Sequence, residues 1–298
     1  MKILLAIAAM SAVLWPADPL RERLEAGLRA QQAGDLPAAI TIYREVLARS
    51  PRTTAARHLL GVCELQSGNL AEGLRQLETV RREDPANRQA VYTLVSTYVA
   101  TGALDEAQRV LGSTLRGDRS AEAHFMRGSY AMARADYAAA IGELQAARRL
   151  GPQLPGVRSM LGVTYCFANR LDEAIPMLES ALKENPRDGN AAAFLGWLYK
   201  ERDRSAEATA LLKQTVQARP EDKGALFLLA QLTQARGGAA EAVEMLERVV
   251  AMDEGHRGAH VLLARLYRQL GRLEDAERER AIVARLQAEL QAAQPGAH

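Results

Sequence analysis

LGVTYCFANRLDEAIPMLESALKENP, Leu161 to Pro186, holds two short amphipathic helices joined by one turn. The first runs up to about Asn169. The second starts at Leu171-Asp172-Glu173-Ala174 and stops near Pro186. The same grammar recurs along nearly the whole chain. Its ruler is the turn position: Gly34, Gly68, Gly102, Ala135, Asn169, Asp203, Gly237 and Gly271, with successive differences of 34, 34, 33, 34, 34, 34 and 34. Five residues after each turn comes a small residue, from Ala39 and Gly73 through to Ala242 and Ala276. Seven residues before it stands a second, mostly small position, including Gly27, Gly61, Gly162, Gly196 and Ala230. A fixed period of this length in helix–turn–helix units is the mark of a solenoid.

The two small columns let paired helices approach closely. An apolar column (Leu60, Leu94, Leu161, Leu195, Leu229, Leu263) fills the space between them. Proline cannot continue a helix, so Pro51, Pro85, Pro152, Pro186 and Pro220 end each second helix and restart the chain. No such unit buries its apolar face alone, so neighbours must stack.

The Leu161-Gly162-x-x-Tyr165 and Leu195-Gly196-x-x-Tyr199 runs, the Asp172-Glu173-Ala174 start and the closing prolines resemble the tetratricopeptide repeat family. Eight copies cover about residues 20–290. The resemblance implies an all-α, right-handed α-solenoid of about eight helix–turn–helix repeats. They fall at about 20–53, 54–87, 88–120, 121–154, 155–188, 189–222, 223–256 and 257–290, within a solenoid spanning 20–292.

Length alone, at about 150 residues per domain, suggests two domains, but the unbroken repeat argues for one elongated array. The formal net charge of +2, from 38 basic and 36 acidic residues, argues against a dedicated nucleic-acid binder, which carries a strongly basic face. Five of the basic residues are Lys and the rest Arg, as in a GC-rich bacterial coding sequence. Cys63 and Cys166 stand three repeats apart, on the order of 30 Å at one helix-packing distance per repeat. That exceeds the reach of a disulfide, so two free, core-filling thiols are expected.

Lys2 followed by the apolar stretch from Ile3 to Trp15 and then Pro16-Ala17-Asp18-Pro19 matches a secretory signal peptide over residues 1–17. The stretch is short for a transmembrane helix, and an uncleaved amino-terminal anchor is the other reading. Export to a bacterial periplasm, or anchoring at the envelope, is therefore expected. The first repeat has a degenerate first helix, with Arg23 and Ala26, and Pro37 in the first turn of its second. In the second repeat Glu64 replaces the usual aromatic. The third is one residue short, which makes Gly117–Ser120 the expected bend or joint. The eighth ends in a long charged helix from Leu273 to about Ala292, in which Glu274 and Arg278 can pair. That helix reads as the cap of the last layer. The tail 293–298 is expected to be disordered.

The chain lacks the motifs GxxxxGK[ST], HExxH, CxxC and GxSxG. His256 and His260 have helical i, i+4 spacing, but no third ligand is fixed by spacing, so ordinary surface histidines are expected rather than a metal site. The acidic pairs Asp105-Glu106, Asp172-Glu173 and Glu274-Asp275 open second helices, where negative charge favours the positive end of the helix dipole. No catalytic residue, cofactor or metal is expected.

In the family that this chain resembles, the concave face is lined by first-helix residues that do not pack on the second helix. By that resemblance the partner-binding positions are Tyr92, Phe125 and Met132, then Val163, Trp197, Lys200 and Phe227, and finally Arg265 and Arg268. Exposed apolar surface of that kind marks a partner site, and an amphipathic helix or extended peptide is its natural guest. Tight curvature that buries part of it as core is the bland alternative. The carboxylate clamp of the chaperone-binding members is absent, because Leu24, Leu28, His58 and Val62 stand in its places. The resemblance thus implies a non-enzymatic scaffold that binds a protein or peptide. The rival is a structural component of an envelope assembly serving secretion, a pilus or polysaccharide export.

Overall fold

A computed structural model describes residues 19–292. The signal-peptide stretch and the tail expected to be disordered lie outside the described residues. Among those described, all regular structure is helical. The chain divides into two compact units, one up to Arg134 and one from Ala135. The first comprises α1 (Pro19–Gln32), α2 (Leu36–Arg49), α3 (Thr54–Gln66), α4 (Leu70–Glu83), α5 (Arg88–Ala100), α6 (Leu104–Thr114) and α7 (Ala121–Ala133). The second comprises α8 (Tyr137–Leu150), α9 (Val157–Phe167), α10 (Leu171–Glu184), α11 (Gly189–Glu201), α12 (Ser205–Ala218), α13 (Lys223–Ala235), α14 (Ala239–Met252), α15 (Arg257–Gln269) and α16 (Leu273–Ala292).

Local chemistry sets the helix ends. Asp35, Asn87, Ser120, Asp136, Asp188 and Asp222 each accept a hydrogen bond from the backbone N–H three residues on, which satisfies a donor that the first turn leaves open. Pro37 stands in the first turn of α2, where its missing N–H costs nothing. The helices α2, α4, α8, α10 and α12 each stop two residues before a proline. Every residue of the turn column has a left-handed backbone: φ is +81° at Gly34, +84° at Gly68 and +75° at Gly102 in the first unit. In the second it is +57° at Ala135, +56° at Asn169, +57° at Asp203, +87° at Gly237 and +77° at Gly271. The 34-residue ruler is therefore a ruler of one backbone conformation.

Between the paired helices the small columns touch. A Cβ on Gly162 would lie 2.7 Å from Leu178 Cγ, and one on Gly196 would lie 2.9 Å from Leu212 Cδ2. Gly61 has the same relation to Leu77 at 2.9 Å, and Gly27 faces the ring of Tyr43. The small residues five after the turn are buried, Ala39, Ala107, Ala140, Ala174, Ala208 and Ala242 fully so.

A second recurring contact ties the third, fifth, sixth and eighth repeats each to the one before it. Four residues before the turn, Tyr98 donates to Glu78 Oε1 (3.1 Å), Tyr199 to Glu179 Oε1 (2.8 Å) and Tyr267 to Glu247 Oε1 (2.7 Å). Tyr165 accepts from Gln145 Nε2 at 2.8 Å. In three of these layers the arginine just after the turn covers the ring: Arg170 over Tyr165 at 4.8 Å, Arg204 over Tyr199 at 4.1 Å and Arg272 over Tyr267 at 4.2 Å. Each of those arginines is held by a carboxylate three residues on, Glu173, Glu207 and Asp275. Burial, and then the hydrogen bond to Glu179, push the Tyr199 phenol up to about 12. The second repeat bridges the same joint with other residues: Glu64 stands at the tyrosine position and accepts from Arg44 Nη2, 20 residues back, at 2.6 Å, while Ala131 and Thr233 hold that position in the fourth and seventh repeats.

Three local expectations change. Gly117–Ser120 is pinned rather than loose: Arg88 pairs with Asp118, Arg127 donates to the carbonyls of Leu115 and Asp118, and Ser120 caps α7. Gly117–Ser120 was expected as a bend and not as a boundary, and the division between units falls inside the fourth repeat, between its two helices. Arg278 pairs with Asp275, three residues back, and not with Glu274, because Asp275 already faces Arg272 on the same side of α16. His260 is buried, as described below. The last layer also shows how the stack ends. The position filled by Leu77, Leu144, Leu178, Leu212 and Leu246 in earlier repeats is Arg280 in α16, paired with Glu277. A polar outer face is what a terminal repeat requires.

Candidate protein-interaction surface

In the second unit, Val163, Trp197, Gln231 and Arg265 take the same register in α9, α11, α13 and α15, six residues before the turn. The stripe changes character along its length. Val163 is only 8% exposed, Trp197 and Gln231 are half-buried, and Arg265 is exposed. Lys200 Nζ donates to Gln231 Oε1 at 3.2 Å and so joins α11 to α13 across this face. Val163, expected to be presented to a partner, is thus largely core.

The stripe ends in a cleft of about 520 Å³ lined by Phe227, Gln231, Arg257, Val261, Arg265 and Val283, among others. Phe227 forms one wall, its ring centroid 4.8 Å from that of His256. Val261 is 42% exposed, a high value for an aliphatic side chain. Gly258 lets α15 come close here, since a Cβ would lie 3.2 Å from the Phe227 ring. A neighbouring cleft of about 500 Å³ shares Val261, Arg265 and Val283 and adds Arg268 and Leu273. Among the described residues Arg257, Arg265 and Arg268 are exposed and lack an ion-pair partner, whereas most arginines of the second unit are paired. Apolar surface bordered by three free guanidinium groups can take up an acidic amphipathic segment. The guanidinium fork matches carboxylates, and the valines and Phe227 supply the area that favours burial. Arg257, Val261 and Val283 were not singled out by sequence, although Val261 falls in the column of Tyr92, Phe125 and Phe227; Val283 enters the cleft from α16.

In the first unit, Tyr92, Phe125 and Met132 are half-buried on α5 and α7. Tyr92 and Phe125 pack against the core around Leu94, Leu111 and Leu115, and the Tyr92 hydroxyl lies 3.3 Å from Ser120 Oγ. His58, on the same face of α3, has an Nε2 that is buried without a hydrogen bond, and burial lowers its basicity.

The histidine pair splits in role. His256 Nδ1 accepts from the Ala259 N–H at 3.1 Å and caps α15. His260 is 4% exposed. Its Nδ1 lies 2.5 Å from Glu279 Oε2 and its Nε2 lies 3.1 Å from the Glu254 carbonyl, which fastens α16 to α15. The sequence reading placed it on the surface, because the contact comes from a residue 19 positions away. Among the described residues no three metal-ligating side chains converge. Both thiols are free, and burial pushes each up to about 11, far from the thiolate that a reactive cysteine needs.

The sequence pattern described as the tetratricopeptide repeat matches residues 65–127, 131–198 and 234–293, and a second such pattern matches residues 24–88. The chain belongs to the tetratricopeptide repeat family. Its fold is accordingly a tetratricopeptide α-solenoid with a long carboxy-terminal helix. Solved structures agree on the fold. A tetratricopeptide repeat protein from Parabacteroides merdae is 18% identical with a TM-score of 0.61, over 83% of this chain and 98% of that one. A chain of the APC/C hetero-tetramer Cut9-Hcn1 is 19% identical with a TM-score of 0.69, over 83% of this chain and 48% of that one. The BBSome complex member bbs-4 of Caenorhabditis elegans is 37% identical over 70 residues, which are 24% of this chain and 15% of that protein. Tetratricopeptide solenoids are in general protein-interaction scaffolds, and the fold of this chain supports such a scaffold.

Proposed function

We propose that this tetratricopeptide repeat protein is a non-enzymatic adaptor that captures an acidic, amphipathic peptide or helix on the first-helix face of its second unit. The observation that carries the reading is the cleft where Phe227, Val261 and Val283 meet the unpaired arginines Arg257, Arg265 and Arg268. Trp197 and Lys200 extend the surface towards α11. Buried aromatic and arginine anchors of this kind dominate protein interfaces. The apolar run from Ile3 to Trp15 supports placing the adaptor outside the cytoplasm, in a bacterial periplasm or held at the envelope by that segment.

The test is cross-linking of the tagged full chain in a bacterial host, followed by binding of the recovered client's acidic segment as a synthetic peptide. Arg265→Glu with Arg268→Glu is expected to weaken binding by at least about tenfold and to abolish its salt dependence. Phe227→Ala is expected to weaken it with the salt dependence intact. Unchanged binding in both variants, with helicity retained, refutes the site. A client that instead stays in a stoichiometric membrane complex indifferent to these changes favours the structural-component reading.

A further inference from the structure

Eleven residues before the turn, several first helices carry a cation in a recurring contact. Arg57 donates from Nη2 to the carbonyl of Pro51, six residues back, at 2.6 Å, and its Nε lies 3.5 Å from Glu83 in the second helix of the same repeat. Arg158 donates from Nη1 to the carbonyl of Pro152, again six back, at 2.6 Å, and pairs with Glu184. Arg23 pairs with Glu45 in the first repeat. The third, sixth and seventh repeats have the apolar Val91, Ala192 and Leu226 there, and the fourth has His124, which is half-buried. At Arg57 and Arg158 the slot takes a cation with two donors. One serves the loop carbonyl and the other serves a carboxylate that ties the first helix to the second.

In the eighth repeat this position is His260. Its Nε2 lies 3.1 Å from the carbonyl of Glu254, six back, and its Nδ1 lies 2.5 Å from Oε2 of Glu279 on α16. Both ring nitrogens thus face oxygen acceptors. A neutral imidazole has one N–H and serves only one of them, whereas the imidazolium serves both. The histidine is also enclosed more tightly than the arginines. Its side chain is 5% exposed, against 19% for Arg57 and 17% for Arg158, and Glu279 is 14% exposed, against 44% for Glu83. Little water reaches this pair to replace a lost hydrogen bond.

The charges around the pair are otherwise engaged. Arg278 and Arg280, which flank Glu279 in α16, pair with Asp275 and Glu277. On α15, burial, then the hydrogen bond to Glu247 of α14 and the nearby charge of Glu279, raise the Tyr267 phenol and keep it neutral. Arg272 lies on that ring and is held by Asp275. In the loop before α15, Asp253 pairs with Lys223, and His256 caps the helix.

We propose that His260 is a pH-sensitive latch on the capping helix: its imidazolium holds α16 against α15, and loss of the proton releases that hold. Arginine in the same slot stays charged at every physiological pH, whereas histidine titrates there. The protonated pair stabilises the docked helix. Docking is therefore firm on the acid side of the imidazole titration and weakens as pH rises through it. After deprotonation one acceptor faces a lone pair, and Glu279 is left as a largely buried charge without its partner. Val283 and Gln287 of α16 also line the cleft assigned above to an acidic client, so the latch regulates client capture, a step that rests on the function proposed above.

Hydrogen–deuterium exchange of the full chain, corrected for the intrinsic pH dependence of amide exchange, tests the latch between about pH 5 and 8, where imidazole titrates. The opening of α16 is expected to rise by at least about tenfold over that span, the factor that one charge-assisted hydrogen bond is worth. Helices α9 to α12 are expected to stay level. Imidazole nitrogen NMR is expected to show both His260 nitrogens protonated at the acid end. Glu279→Gln, whose amide can accept from the ring or donate to it, is expected to remove the slope. His260→Arg with Leu286→Glu, which copies the spacing of Arg57–Glu83 and Arg158–Glu184, is expected to hold α16 across the whole range. Equal opening of α16 at both ends in the wild type overturns the latch, as does an unchanged slope in Glu279→Gln. So does a neutral His260 ring at the acid end, which would put the proton on Glu279. A leucine–glutamate amphipathic helical peptide is the client probe. It is expected to bind Glu279→Gln more tightly than the wild type at about pH 8 but not at about pH 5. Equal binding of the two chains at both pH values, with the slope in α16 present, overturns the regulation of the cleft and not the latch. Absence of binding at either pH refutes the cleft itself.

Discussion

Two glycine-rich columns run through this chain with the same period, and they exist for opposite reasons. In the turn column the space around the residue is empty. A Cβ on Gly34, Gly68, Gly102, Gly237 or Gly271 would meet nothing within 4 Å, and what the position demands is φ near +80°. In the helix column the backbone is ordinary α-helix, and what the position demands is room. A Cβ on Gly162 would stand 2.7 Å from Leu178 Cγ and 3.3 Å from the Leu178 backbone N. The exceptions follow the physics. The turn column tolerates Ala135, Asn169 and Asp203, at φ of +57°, +56° and +57°, because a left-handed residue costs only about 1–2 kcal/mol and the short polar side chains reduce that cost. The helix column also holds Val95 and Ala230, both fully buried. Identical residues at identical spacing can therefore encode either a torsion angle or a distance.

Substitutions can break this contrast, starting with the most damaging. Gly162→Val should destabilise by about 2–3 kcal/mol, since the clash is partly with backbone and α10 must move away. A lower midpoint in urea and faster amide exchange confined to α9 and α10 would register it. If exchange in α9 and α10 is unchanged, the distance argument fails. Gly68→Ala should cost less, about 0.5–1 kcal/mol, the left-handed penalty less the gain from a stiffer unfolded chain. Ala135→Gly should have the opposite sign and similar size, raising the thermal midpoint; a fall would show that Ala135 is not strained. Asn169→Gly should be the smallest, within about 0.5 kcal/mol of neutral, because asparagine already adopts this conformation at low cost. Together the last three changes form a scale of turn strain, readable by differential scanning calorimetry on otherwise identical chains.

Much of the fold is legible in the sequence. The turn, the small columns and the closing prolines are each local requirements written into single residues. Helix starts, helix ends and the family follow from them. The lock around Tyr199 was only half legible. Its position could be read from the repeat, but not that Glu179 would accept its hydroxyl or that Arg204 would lie on its ring. The surface was less legible still. Val163 looked like a presented anchor and is 8% exposed, while Tyr92 and Phe125 are half-buried, because burial depends on how far neighbouring first helices converge. Arg257, Val261 and Val283 line the cleft of the second unit; Val261 shares the column of Tyr92, Phe125 and Phe227, ten residues before the turn, whereas Val283 enters from α16, which the first-helix pattern does not record.

By itself, then, the sequence determined the period, the helix pairs, their caps and the solenoid class, because each rests on torsion and size at one residue. The tertiary structure decided which arginines remain unpaired, that His260 is buried against Glu279, and that Glu64 lies under an open cleft. Those are properties of residues brought together from different helices. The energy of a buried charge or an open cleft depends on every side chain that surrounds it, and no single column records those neighbours.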